Sequence, residues 1–167
     1  GACGGCWCMT PVLTRREYEA NKGAGNRRLQ RKAVLAGETP GVLGYSAGRP
    51  FGWCAIGPRE KYAQLASSRI LAPVDDRAVW SITCLFLAKS YRRQGLSRHL
   101  VAGAVELARS RGARLIEAYG VVPKKDPVPE VFAYPGFAAV YEACGFREVA
   151  RRSATRPILR KRLRSSG

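Results

Sequence analysis

Four short stretches of this chain hold residue types whose spacing points to chemistry. "ACGGCWCM", residues 2–9, sets Cys3, Cys6 and Cys8 within six positions. Cys-x-x-Cys-x-Cys supplies three soft metal ligands, but structural zinc takes four and no second Cys/His cluster follows. The leading reading of these thiols is the edge of a strand facing core or groove, ahead of a metal site and of a nucleophile. "CLFLAKSYRRQGLSRHL", residues 84–100, runs an apolar segment into a basic, glycine-bearing turn that opens an apolar-periodic segment. "RLIEAYG", residues 114–120, carries Glu117 inside an otherwise apolar run, and "VYEACGF", residues 140–146, carries Tyr141. A carboxylate among apolar neighbours has a raised proton affinity, and a phenol is a weak acid at neutral pH.

The second stretch is the most informative. A helix start leaves amide N–H groups unpaired and places partial positive charge there. Gly95 permits close backbone approach, and Arg92 and Arg93 add charge. The combination is a phosphate cradle. It is not a Walker A loop, since no Gly-Lys-Ser/Thr follows, and one glycine is too few for a dinucleotide fingerprint.

Arg92-Arg93-Gln94-Gly95-Leu96-Ser97 resembles the R/Q-x-x-G-x-G/A signature of the GNAT superfamily of N-acetyltransferases, with Ser97 where Gly or Ala is usual. "VYEACGF" resembles that family's FYxxxGF element at the expected distance downstream. The opening "CWCM" and the run from "PGVLGY" to "VWSITC" are similar to a bacterial branch with a Cys-rich start. The resemblance is strongest over residues 41–163. It implies acetyl-CoA as cosubstrate, its pyrophosphate on Arg92, Arg93, Gln94, Gly95, Leu96 and Ser97, and its pantetheine and carbonyl along the backbone of Leu85, Phe86 and Leu87. An amine attacks the thioester directly, Tyr141 protonates the departing thiolate, and Glu117 is the candidate base. For Glu117 the alternatives are holding the substrate ammonium or pairing with an arginine; water is an alternative base. No metal is implied.

These residues need elements to hold them. Residues 6–12 read as a short strand with Cys6 and Cys8 on one face. Thr14 and Glu17 form a capping box for a helical region at 15–36, broken at Gly23-Ala24-Gly25. Apolar runs at 42–46 and 51–56 flank a turn. A short helix is expected near 61–68. Residues 78–87 (AVWSITCLFL), apolar on both faces, form a central strand. Leu96, Leu100, Val101, Ala104, Val105 and Ala108 repeat at helical spacing within 94–111. A strand at 114–119, a Pro-rich loop at 120–134 that is a candidate substrate lid, a helix at 137–144 and a basic hairpin at 146–152 and 157–162 complete the chain. The expectation is a single α+β domain over 1–167, with a mostly antiparallel twisted sheet of six or seven strands flanked by helices.

The bulk numbers limit partners. No apolar run reaches the roughly 18 residues needed to span a bilayer, and the opening residues lack the basic stretch of a secretory leader. Six irregularly spaced cysteines in 167 residues do not suit a secreted disulfide framework, so a cytoplasmic monomer or homodimer is expected. The net charge of +17, concentrated at 15–32 and 147–164, attracts polyanions. A rival reading is therefore an RNA- or ribosome-associated binding module on the same fold, acetylating aminoacyl-tRNA or a protein. A zinc-stabilised scaffold is a third. The acetyl acceptor is not specified.

Overall fold

The computed structural model describes residues 4–124 and 133–163. Two short helices, α1 (Arg15–Asn21) and α2 (Ala24–Leu35), precede a hairpin of β1 (Gly41–Ser46) and β2 (Arg49–Pro58). A 3₁₀ turn and α3 (Ala63–Ala66) lead to β3 (Trp80–Leu87). A second 3₁₀ turn (Lys89–Tyr91) opens onto α4 (Leu96–Ser110). Then come β4 (Leu115–Ala118), α5 (Ala138–Ala143), β5 (Arg147–Arg151) and β6 (Pro157–Arg162). The six strands form one sheet in the order β1-β2-β3-β4-β6-β5. Only the β3–β4 pair is parallel.

The capping box forms as expected: the Glu17 N–H donates to Thr14 Oγ1 and the Thr14 N–H donates to Glu17 Oε2. The apolar stripe of α4 (Leu100, Val101, Ala104, Val105 and Ala108) is buried against β1, β2 and β3. Ile56, Ile82, Ile116, Leu159, Tyr141 and Phe146 complete that core. Tyr62, Leu65, Tyr119 and Ile158 form a smaller one beneath Val12, Leu71 and Val74.

Residues 6–12 are not a strand, which corrects the reading of the cysteine-rich start. They form consecutive turns: the Met9 N–H donates to the Cys6 carbonyl at 2.9 Å, and the Val12 N–H to the Met9 carbonyl at 3.1 Å. Trp7 and Cys8 have φ of 47° and 55°, in the left-handed region that no strand uses. Pro11 has no N–H to give a ladder. Met9 anchors the segment by burial, so its apolar content serves packing without sheet pairing.

β3 contains an irregularity where its pairing with β4 ends. Opposite it, Ala55 pairs with Cys84 but Ile56 pairs with Ile82, so Thr83 is one residue too many. This bulge re-aims the rest of β3. The parallel ladder to β4 holds only at Trp80–Ile116, Ser81–Glu117 and Ile82–Ala118. From Thr83 onward β3 has no strand neighbour on that side among the described residues.

On the other side β3 is tightly paired. A Cβ added at Gly52 would lie 2.6 Å from Leu100 Cδ1 and 2.8 Å from the Phe86 carbonyl oxygen. The backbone atom cannot yield, so Gly52→Ala is expected to cost about 1–3 kcal/mol, read as a lower urea midpoint with unchanged m.

Candidate active site

Along the edge of β3 beyond Ile82 the strand period decides which groups turn away from β2. The Leu85 N–H points away from β2 and donates to the Tyr134 carbonyl at 2.8 Å. Leu87, two residues on, presents its backbone to the same side, and its carbonyl accepts from Arg92 Nε at 3.1 Å. Phe86 turns its backbone toward β2 at Gly52. Of the three strand residues expected to meet a pantetheine arm, Leu85 and Leu87 thus turn their backbone away from β2 and Phe86 does not.

The cradle turn lies at the end of this edge. Arg93 sits at φ 61° and Gly95 at φ 75°, and α4 begins directly after Gly95 with no side-chain cap. The left-handed position suits glycine, and the uncapped start leaves the amides of Leu96 and Ser97 to a ligand. The side chains of Arg93 and Gln94 are exposed, and Gln94 Nε2 donates back to the Ser90 carbonyl at 2.9 Å. All six motif residues therefore lie consecutively where the 3₁₀ turn after β3 passes into α4. His99, on the same helix, is exposed.

Tyr141 is fully buried on α5, edge-on to Phe146 with ring centroids 5.6 Å apart. Its hydroxyl donates to the Pro135 carbonyl at 2.6 Å. Burial, reinforced by the neighbouring thiols of Cys54, Cys84 and Cys144, raises its pKa well above the ordinary phenol value. Tyr134 and Pro135 are consecutive, so the Leu85 N–H and the Tyr141 O–H converge on two adjacent carbonyls. The structure thereby brings Leu85 and Tyr141 together; nothing local in either stretch announced Tyr134 and Pro135 as the link.

Glu117 is elsewhere. It faces the side of the sheet away from α4, beside Ser81 and Arg160. Oε1 accepts from Arg160 Nε at 2.8 Å and pairs with its second nitrogen at 2.7 Å. Oε2 accepts from Arg59 at 3.2 Å and from the Tyr119 hydroxyl at 2.7 Å. Arg160 continues to Asp75 at 2.6 Å, and Asp75 to Arg77. Of the alternatives for Glu117, pairing with arginine is the geometry seen, and its partners lie 43 and 58 residues away in the chain. Arg152 also serves internally, donating to the carbonyls of Ala72 and Pro73. Part of the basic C-terminal hairpin is thus structural, whereas Arg27, Arg28, Arg31 and Lys32 on α2 are exposed.

The cysteines meet one another. The Cys8 N–H donates to Cys6 Sγ at 3.3 Å. A hydrogen bond with Cys6 lowers the Cys8 pKa; a hydrogen bond with Cys84 and burial outweigh it and leave the thiol pushed up to about 12. Cys6 is raised by its hydrogen bond with Cys8 and by burial. Protonated thiols of this kind are poor nucleophiles. Among the described residues no group of three or more His, Cys, Asp or Glu is placed to hold a metal ion. Cys3 lies outside the described residues, as do residues 125–132 of the Pro-rich loop. No helix among the described residues is long and apolar enough to cross a membrane.

The sequence profile of the acetyltransferase (GNAT) family matches residues 9–146. Solved structures with the same fold include a GNAT-family acetyltransferase from Listeria monocytogenes (12% identity, 94% of this chain and 81% of that one, TM-score 0.54). Another is the ribosomal-protein-alanine N-acetyltransferase of Brucella melitensis (16%, 82% and 76%, 0.52). A third is the PaiA N-acetyltransferase of Thermoplasma acidophilum in complex with coenzyme A (12%, 97% and 89%, 0.51). At these identities the likeness is one of fold. Comparison with the sequences of curated proteins finds no match.

Breaking the Glu117 cluster tests its weight. Arg160→Ala leaves a buried carboxylate short of its main partner and is expected to cost about 3–5 kcal/mol in urea unfolding. The cluster also has a pH signature. Hydrogen bonds from Arg160, then Arg77, hold the Asp75 carboxyl well below its ordinary value. That contribution is complete above the unfolded value of about 4 and fades as pH falls below it, so Asp75→Asn should flatten the acid limb of a stability–pH curve between about pH 4 and 2.

Proposed function

The chain belongs to the acetyltransferase (GNAT) family, and from that premise we propose direct acetyl transfer from acetyl-CoA to an amine, with Leu85 as oxyanion donor and Tyr141 as general acid. The observation that carries this reading is the convergence of the Leu85 N–H and the Tyr141 O–H on the adjacent carbonyls of Tyr134 and Pro135. One donor suits a carbonyl oxygen that gains negative charge, and the other suits a sulfur that leaves as thiolate. These are the two atoms flanking the reacting carbon of a thioester.

The residues present fit acetyl-CoA. The amides at the start of α4, together with Arg93, suit its pyrophosphate, and the freed edge of β3 at Leu87 suits its amide-bearing arm. In the transfer, the amine nitrogen bonds to the carbonyl carbon and the carbon–sulfur bond breaks. Leu85 N–H stabilises the tetrahedral oxyanion from a fixed position, which needs no reorganisation. Tyr141 gives its proton to the sulfur and regains one from solvent. Its raised pKa keeps it protonated through the neutral range. The proton lost by the amine goes to water. Glu117 enters as a positioning residue, because four donor atoms already occupy its two oxygens. It holds β4 against β3 and β6 on the closed side of the bulge.

Two measurements test this. Isothermal titration with acetyl-CoA should show saturable binding, and its absence at near-millimolar ligand removes the reading. In a thiol-release assay across amine classes, Tyr141→Phe should lower kcat by about 10²-fold or more without weakening acetyl-CoA binding. Because burial raises the phenol pKa, wild-type activity should show no alkaline loss from Tyr141 below about pH 10. Turnover of the variant equal to wild type would remove Tyr141 from the mechanism.

A further inference from the structure

The two groups assigned to the thioester are already in use. Leu85 N–H donates to the Tyr134 carbonyl at 2.8 Å, and Tyr141 O–H donates to the Pro135 carbonyl at 2.6 Å. Both acceptors belong to one tight turn, closed by the Gly136 N–H on the Ala133 carbonyl at 2.8 Å. The turn is wedged in place. A Cβ at Gly136, where φ is 79°, would lie 2.8 Å from Leu85 Cδ2 and 3.1 Å from the Tyr141 oxygen. Its far side is held by the Val121 N–H on the Gly136 carbonyl at 2.8 Å, and the Arg156 guanidinium lies 5.9 Å from the Tyr134 ring centre.

We propose that the Tyr134–Gly136 turn occupies the thioester position in the cofactor-free enzyme and must be exchanged for the acetyl group before transfer. The proposal rests on the reading that Leu85 and Tyr141 serve the thioester. The logic is hydrogen-bond conservation. A buried N–H and a buried O–H are costly to leave unpaired, so whenever no thioester accepts from them the chain itself must. A single N–H directed at the Tyr134 oxygen cannot also be directed at a thioester oxygen in the same geometry. The turn's carbonyls thus mimic the acyl group's acceptors, keep the donors aimed, and exclude water until acetyl-CoA competes them away. Affinity for acetyl-CoA is then reduced by the fraction of molecules in which the turn is closed.

The test is hydrogen exchange by mass spectrometry on the full chain, with and without saturating acetyl-CoA and no acceptor. Displacement opens the bonds of Gly136 and Val121, so peptides spanning 119–123 and 133–138 should exchange about threefold faster or more in the complex. The start of α4 should become more protected. Protection of α4 with unchanged or slower exchange at 133–138 would overturn the displacement while leaving the acetyltransferase reading intact. No change anywhere, with no heat of binding, would overturn both. Separately, Tyr134→Ala and Arg156→Ala each remove the same ring–guanidinium contact and should tighten acetyl-CoA binding about two- to fivefold. Unchanged or weaker affinity in both variants, with urea midpoints showing that they fold, would overturn the proposal.

Discussion

Everything in this site follows from one extra residue in the middle of the sheet. Thr83 breaks the register between β2 and β3, and beyond it β3 has no strand partner on its β4 side among the described residues. A strand edge inside a protein cannot stay unpaired, because each buried N–H left without an acceptor costs about 1–3 kcal/mol. The bulge therefore creates an obligation to supply partners. The chain meets it with the Tyr134 carbonyl at Leu85 and with the Arg92 side chain at Leu87. The same edge that needs partners for stability is the one able to hold a ligand's amides and carbonyl.

The opposite end of β3 shows what keeps the cleft from spreading. At Ser81 the sheet is closed by the Arg59–Glu117–Arg160–Asp75 cluster and by the Ser81–Tyr119 hydroxyl contact at 2.8 Å. Ions this buried are tolerated only when their hydrogen bonds are complete, and here the residues come from β4, β6 and the segments before β3. The cluster locks those segments to one another. It also absorbs arginines that a charge count assigns to the surface, so +17 overstates the charge available to a polyanion.

The site is built from elements of different rigidity. Leu85 sits in a sheet and Tyr141 in a buried helix, both fixed by the main core. The acceptors between them sit in a turn held by a few hydrogen bonds and one ring–guanidinium contact. On the proposed reading, donors fixed by a strand and a helix keep their aim when the acceptors between them change. Catalysis by preformed dipoles needs that arrangement.

Much of this was legible in the sequence, for local reasons. Capping residues, apolar periodicity and turn chemistry act within a few residues, so Thr14–Glu17, the α4 stripe, the central strand and the Arg92–Ser97 turn were readable directly. The GNAT-like motifs were readable because the Arg92–Ser97 turn and the helix it opens are contiguous. The start at residues 6–12 misled, since an apolar run with Trp and Cys has strand composition while Pro11 and two left-handed residues give it turns. What only the tertiary structure decided are the long-range partners. Cys8 meets Cys84, Glu117 meets Arg160 and Arg59, and Leu85 meets Tyr134. Such partners depend on register, and a single inserted residue turns every later side chain and amide of a strand to the other side. The sequence by itself determined most of the elements and the turn at Arg92–Ser97; the Thr83 bulge, visible only in the folded sheet, decided which backbone groups of β3 turn away from β2.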